Sequence, residues 1–145
     1  SMRIQSWVED AIKQGAMLLT GHQRNDNIYT PTVLTKVPTT SRLCMKEVFA
    51  PVVILESFDC FDEVISWANR VDYSLHAGIF TSDLETALKA ADSLEASGVM
   101  INDSSDFRFD AMPFGGYKRG SLGREGVRYA IQEMTQSKVI CFNRE

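Results

Sequence analysis

Histidine and cysteine are scarce in this sequence: its 145 residues hold two histidines, His22 and His76, and three cysteines, Cys44, Cys60 and Cys141. The cysteines are odd in number, show no CxxC spacing and have no histidine pair beside them. That pattern excludes a disulfide framework and a zinc site, and it predicts free, mostly packed thiols and no bound metal. His22 falls in a polar turn and His76 in an apolar strand, far from any cysteine in sequence, so a Cys–His catalytic pair has no support. Charge of one sign is not in excess either. Fifteen Lys+Arg against nineteen Asp+Glu give a net charge of -4, which offers no broad basic field to nucleic acid or anionic lipid. No apolar run approaches the ~20 residues of a membrane span. No charged-then-apolar leader opens the sequence, and Ser1-Met2 reads as a remnant of tag cleavage, so no membrane partner is expected and the cytoplasm is the expected location. GxGxxG, the P-loop, internal repeats and low-complexity segments are also missing. Gly120, Gly123 and Gly126 stand on no phosphate-cradling spacing.

What is present fits one ordinary globular domain. Hydrophobic residues are 44% and charged residues 23%, enough apolar surface for a core and too little charge for disorder. Ile4, Trp7, Val8, Ala11, Ile12, Leu18 and Leu19 fall on helical spacing, with Gly15 weakening the last turn. Residues 28–30 and 32–37 alternate and are β-branched, which predicts strand interrupted at Pro31. Residues 52–58 read as a strand covered on both faces, 61–70 as a short helix, and 75–81 as the next strand. Residues 84–96 form a helix capped by Ser82 or Asp83, with Leu84, Ala87, Leu88, Ala91 and Leu94 as its apolar stripe and Gly98 at its C-cap. Residues 99–102 follow as a buried strand, 103–122 as a long loop of the kind that carries function, 125–134 as a helix and 138–142 as a last strand. Two strand–helix–strand units in tandem predict an α/β fold with an open, mostly parallel sheet flanked by helices.

Two blocks carry chemistry. Lys46-Glu47-Val48-Phe49-Ala50-Pro51 and, some way downstream, Met112-Pro113-Phe114-Gly115-Gly116-Tyr117-Lys118 resemble signature blocks of the aldehyde dehydrogenase superfamily, and the likeness runs in order across nearly all of residues 3 to 143. The resemblance implies an NAD(P)-dependent enzyme that oxidises an aldehyde through a cysteine thioester. Its nucleophile segment, Gly-Gln-x-Cys, is absent here, as are a matching glutamate base and the region that holds the adenosine half of the cofactor. The chain is therefore expected to be the C-terminal part of such an enzyme, inactive as it stands. Residues 3–135 are then a partial catalytic domain and residues 136–145 an oligomerisation strand, with Lys138, Arg144 and Glu145 as charges able to blunt its edge. A stand-alone, non-catalytic interaction or assembly module on the same scaffold is the alternative.

The resemblance also assigns roles. Glu47 is expected to accept hydrogen bonds from the nicotinamide ribose hydroxyls and Phe49 to pack near the nicotinamide ring of NAD or NADP; otherwise Glu47 is a surface carboxylate and Phe49 a core residue. Tight cofactor binding by the isolated chain is not expected. Ala50 replaces the glycine more usual at its position. Phe114 is expected to form an aromatic wall near the reacting carbon, with Gly115 and Gly116 permitting close backbone approach. Arg108, between Phe107 and Phe109, lies where members differ in substrate preference. Its planar fork suits a carboxylate, phosphonate or sulfonate on a hydroxy- or anion-bearing aldehyde, unless it pairs with Asp106 or Asp110. Asn102 is expected to help hold the loop, or to make a simple Asx turn. No catalytic residue is assigned within these residues, and a small aldehyde and further copies of the chain are the expected partners.

Overall fold

The computed structural model describes residues 2–144; Ser1 and Glu145, read above as tag remnant and edge charge, lie outside the described residues. The chain divides into two compact units, residues 1–71 and 72–145.

In the first unit the N-terminal apolar periodicity forms α1, Met2–Lys13, which buries Ile4, Val8 and Ala11. Met2, grouped above with Ser1 as a remnant, is thus a helical residue. Gly15 at φ +107 turns the chain out of the helix, and Leu18 and Leu19, expected on that helix, belong instead to β1, Met17–Thr20. The spacing failed there because a residue beyond a left-handed turn finds its hydrogen bonds across a sheet rather than along a helix. A small hairpin follows, β2 at Arg24–Asn25 and β3 at Ile28–Tyr29. Next comes the central strand β4, Thr32–Thr35, with Thr32 and Leu34 buried. A short helix, α2 at Arg42–Met45, begins at Ser41, whose hydroxyl accepts from the Leu43 amide at 3.3 Å. β5, Val52–Ile54, runs parallel to β4 while β1 pairs with β4 antiparallel, so the strand order is β1-β4-β5. β5 is shorter than expected and is an edge strand with Val53 54% exposed; it is not covered on both faces. α3, Phe61–Ala68, matches its expected position. The core joins Ile4, Val8 and Ala11 of α1 to Leu34, Val37 and Leu43.

The second unit opens with β6, Tyr73–Ser74, and β7, His76–Ile79. α4, Leu84–Ser93, then leads to β8, Gly98–Ile101, which lies parallel to β7 from His76↔Gly98 to Ile79↔Ile101. Asp83 caps α4 by accepting from the Thr86 amide at 2.7 Å and the Thr86 hydroxyl at 2.6 Å, and these bonds hold its carboxyl below the usual range. Ala87 and Ala90 form the buried face of α4, whereas Leu84 and Leu88 of the expected stripe are exposed. Gly98 is not a helix cap; it starts β8, where its missing side chain makes room for His76. β9, Tyr117–Lys118, pairs antiparallel with β6, and α5 spans Val127–Met134. Residues 138–142, expected as a strand, have no strand pairing, and Val139 and Phe142 are almost fully exposed. An extended, β-branched segment becomes a strand only when another edge satisfies its backbone, and none lies against it among the described residues.

The α/β class thus holds, with the parallel pairs β4–β5 and β7–β8 set among antiparallel ones. No helix among the described residues is long and apolar enough to cross a membrane. Because Leu34 is fully buried and Val53 is not, Leu34→Ala is expected to lower unfolding free energy by about 2–5 kcal/mol, and Val53→Ala by under about 1 kcal/mol. Urea denaturation of the two variants measures this, and equal losses would contradict the edge placement of β5.

Candidate functional site

Glu47 and Phe49 stand on the segment between α2 and β5. Val48 and Ala50 pack against the core of the first unit, so Glu47 and Phe49, on the alternate positions, face outward. Arg3 of α1 donates to the Val48 carbonyl at 2.8 Å, and the Thr32 amide donates to the Pro51 carbonyl at 2.8 Å. Between these anchors Phe49 takes φ +49 and is 81% exposed. A bulky residue in the left-handed region costs about 1–3 kcal/mol and persists only where neighbours over-determine it, which is common at ligand sites. The core alternative for Phe49 is ruled out by that exposure. A solvent-facing carboxylate two residues from a solvent-facing ring fits a ligand that pairs hydroxyls with a flat heterocycle.

The second unit gathers the remaining residues around the loop after β8. Asn102 adopts φ +56, its amide donates to the Ile79 carbonyl at 2.6 Å, and its side-chain oxygen accepts from the Thr81 amide at 2.8 Å. It therefore ties the ends of β7 and β8 together, a longer reach than an Asx turn. Phe114 pairs with Glu125 in an isolated antiparallel bridge. Gly115 and Gly116 are buried, and a Cβ would lie 2.6 Å from the Gly123 oxygen at the first and 2.4 Å from the Gly120 carbonyl carbon at the second. Two further residues lock this turn: Ser97, and Arg124, whose place among Lys118, Arg119 and Arg128 suggests only a solvated turn. Arg124 donates from one nitrogen to the Gly116 and Gly123 carbonyls at 3.0 and 2.9 Å, and Ser97 donates to the Gly115 carbonyl. Nothing in the sequence marked either one for this role, because both act on backbone atoms that only the folded loop brings near.

Arg108 resolves differently from the pattern that suggested it. Phe107 and Phe109 approach each other, ring centroids 6.2 Å apart, and the Arg108 guanidinium lies 3.7 Å above the ring of Phe114. Among the described residues it forms no ion pair with Asp106 or Asp110. Stacking holds the charge in place by cation–π attraction while leaving its in-plane N–H donors for an anion. Arg108 and Phe114 are thus brought together, with Phe107 beside them on the same loop. His76 meets Phe114 edge to face at 5.5 Å, a partner the sequence reading did not find.

No cysteine is placed as a nucleophile. Cys60 and Cys141 are exposed, against the expectation of mostly packed thiols, and only Cys44 is partly buried; all three are free. Cys44 lines a pocket of about 190 Å³ with Val37, Glu56 and Trp67. Burial, and after it the Glu56 carboxylate, push its thiol up, opposite to what a reactive thiol needs. Among the described residues no group of His, Cys, Asp and Glu could hold a metal.

The sequence profile of the aldehyde dehydrogenase family matches residues 1–140. The chain belongs to the aldehyde dehydrogenase family. It is 62% identical over 139 residues to aspartate-semialdehyde dehydrogenase 1 of Pseudomonas canavaninivorans, covering 96% of this chain and 30% of that one. To the 3-sulfolactaldehyde dehydrogenase of Priestia aryabhattai it is 45% identical over 141 residues, covering 97% and 30%. The crystal structure of glyceraldehyde-3-phosphate dehydrogenase GapN from Methanocaldococcus jannaschii complexed with NADP superposes with a TM-score of 0.86 at 47% identity, over 92% of this chain and 29% of that one. The chain spans about 30% of the length of the curated relatives it matches. Within this aldehyde dehydrogenase segment the raised pKa keeps Cys44 protonated at neutral pH. Ellman's reagent is therefore expected to titrate Cys60 and Cys141 quickly and Cys44 slowly, the lag shrinking as pH rises or on Glu56→Gln. Cys44 reacting first would contradict this.

Proposed function

We propose that this chain supplies the nicotinamide-ribose contact and the substrate-end contact of an NAD(P)-dependent aldehyde dehydrogenase that oxidises a small, anion-bearing aldehyde through a cysteine thioester. The observation that carries the reading is the Arg108 guanidinium stacked on Phe114 with no carboxylate partner among the described residues. It presents fixed positive charge beside the aromatic wall expected near the reacting carbon. The three relatives named above carry carboxylate, sulfonate and phosphate groups in their substrates' names, which supports an acid group at that end. The sequence contains no Gly-Gln-x-Cys, so neither the thiolate attack nor the water activation is assigned to any residue here.

Glu47 and Phe49 would hold the cofactor, Glu47 by accepting from ribose hydroxyls and Phe49 by packing against the nicotinamide. When bound, the nicotinamide serves as the two-electron acceptor that aldehyde oxidation requires. The solved NADP complex of a relative supports use of a nicotinamide dinucleotide without choosing between NAD and NADP for this chain. Asn102, Gly115 and Gly116 shape the loop rather than touch substrate. The free thiols suit a reducing, cytoplasmic setting.

A homo-oligomer is part of the reading. Val139, Ile140 and Phe142 are exposed and have no strand partner among the described residues, and Val127, Ile131 and Met134 of α5 are exposed as well; such edges and patches favour association. Sedimentation equilibrium is expected to show at least a dimer, weakened by deleting residues 136–145; a monomer at every concentration sinks this part.

Two substitutions in the whole enzyme test the site. Glu47→Gln is expected to weaken cofactor use by roughly 1.5–3 kcal/mol, the scale of a hydrogen bond to a charged group, and unchanged cofactor kinetics would remove Glu47 from the site. Arg108→Leu is expected to raise KM for anionic aldehydes and to spare neutral ones. Equal effects on both would reduce Arg108 to a structural residue.

A further inference from the structure

We infer that His76 is a positioning residue that fixes the Arg108–Phe114 pair and thereby sets selectivity for the acid end of the substrate; this rests on the reading proposed above. Three independent contacts converge on its ring. Nδ1 lies 3.1 Å from the Ser105 carbonyl. Because a carbonyl only accepts, Nδ1 carries the hydrogen. The ring meets Phe114 at 5.5 Å with an interplanar angle of 89°. On a third side it lies over Gly98, where a Cβ would come within 2.8 Å of Cδ2. Nε2, in turn, is buried and meets no hydrogen-bond partner among the described residues. A buried ring nitrogen left unpaired is unfavourable, and positions that keep such a group tend to be functional ones.

The contacts place His76 between the two ends of the loop that bear the substrate residues. At the near end, Ser105 lies beside the turn closed by the Phe107 amide on the Ser104 carbonyl at 3.1 Å, and Arg108 follows directly. Gly78, two residues along β7, lets this stretch pass close, since a Cβ there would lie 2.7 Å from the Asp103 oxygen. At the far end Phe114 meets the His76 ring at right angles and carries the Arg108 guanidinium 3.7 Å above its face. One imidazole on a β-strand therefore sets both the start of the Arg108 loop and the ring on which Arg108 stacks. Rigid elements hold binding groups to the tolerance that selectivity needs, and loops alone do not.

The test uses the whole enzyme with a carboxylate-bearing aldehyde and a neutral aldehyde of equal chain length. His76→Ala is expected to raise KM for the anionic aldehyde on the order of tenfold, the scale on which small misplacement of a binding group acts. The KM for the neutral aldehyde, which meets Phe114 but needs no positive charge, should change much less. His76→Asn, whose amide can still donate to the Ser105 carbonyl, should recover much of the loss. Gly98→Ala, which drives a methyl against the ring without touching the imidazole's chemistry, should reproduce it. Equal changes for both aldehydes, or none, overturn the inference. Arg108→Leu is run alongside: if it fails to discriminate the two aldehydes the underlying reading fails, whereas if it discriminates and His76→Ala does not, only the role of His76 fails. Nitrogen-15 NMR of the unsubstituted enzyme adds a measurement that no misfolded variant can compromise. The Nδ1–H tautomer is expected at His76, and the Nε2–H tautomer overturns the inference.

Discussion

Two backbone segments pass within van der Waals distance only where neither carries a side chain in the way, and the turn at Gly115 and Gly116 depends on that constraint. The bare Cα atoms let residues 115–116 lie against residues 120–123, and Arg124 and Ser97 then clamp the carbonyls of Gly115, Gly116 and Gly123. With the turn fixed, Phe114 has one place to stand, bridged to Glu125 and at right angles to the ring of His76. Arg108 stacks on whatever face Phe114 offers. The order of dependence runs from two missing β-carbons to one ring and from that ring to one charge.

The first unit solves a similar problem by tension rather than by close approach. Phe49 sits at a backbone angle that a bulky residue avoids. What holds it there is the inward packing of Val48 and Ala50 and the bond from Arg3, all drawn from the core and from α1. Strain stored in this way presents an aromatic side chain to solvent in a fixed direction. Glu47 and Phe49, the residues proposed to touch the cofactor, are themselves exposed. Their neighbours supply the order.

Much of this was legible in the residue pattern. The helical spacing of Ile4, Val8 and Ala11, the strand interrupted at Pro31, and the strand–helix–strand run through residues 75–102 were all readable, because each follows from local periodicity and chain-breaking residues. The misreadings share a cause. Leu18 and Leu19 continue a helical spacing that Gly15 has already ended; Leu84 and Leu88 look like a core stripe although Ala87 and Ala90 fill the packed face; and residues 138–142 have the composition of a strand without an edge to pair with. Periodicity reports which residues could be buried, while burial itself requires a surface to meet.

The sequence by itself determined the family, the α/β class and the positions of Glu47, Phe49, Arg108, Phe114 and the paired glycines, since motif order and turn chemistry are properties of the chain. Only the tertiary structure decided what those residues do to one another. It turned Phe49 outward, sent Arg108 to Phe114 instead of to Asp106 or Asp110, and placed His76 between the two ends of one loop. The reason is physical: each of these outcomes is settled by contacts between residues distant in sequence, and side-chain direction and partner choice are fixed only when packing removes the alternatives.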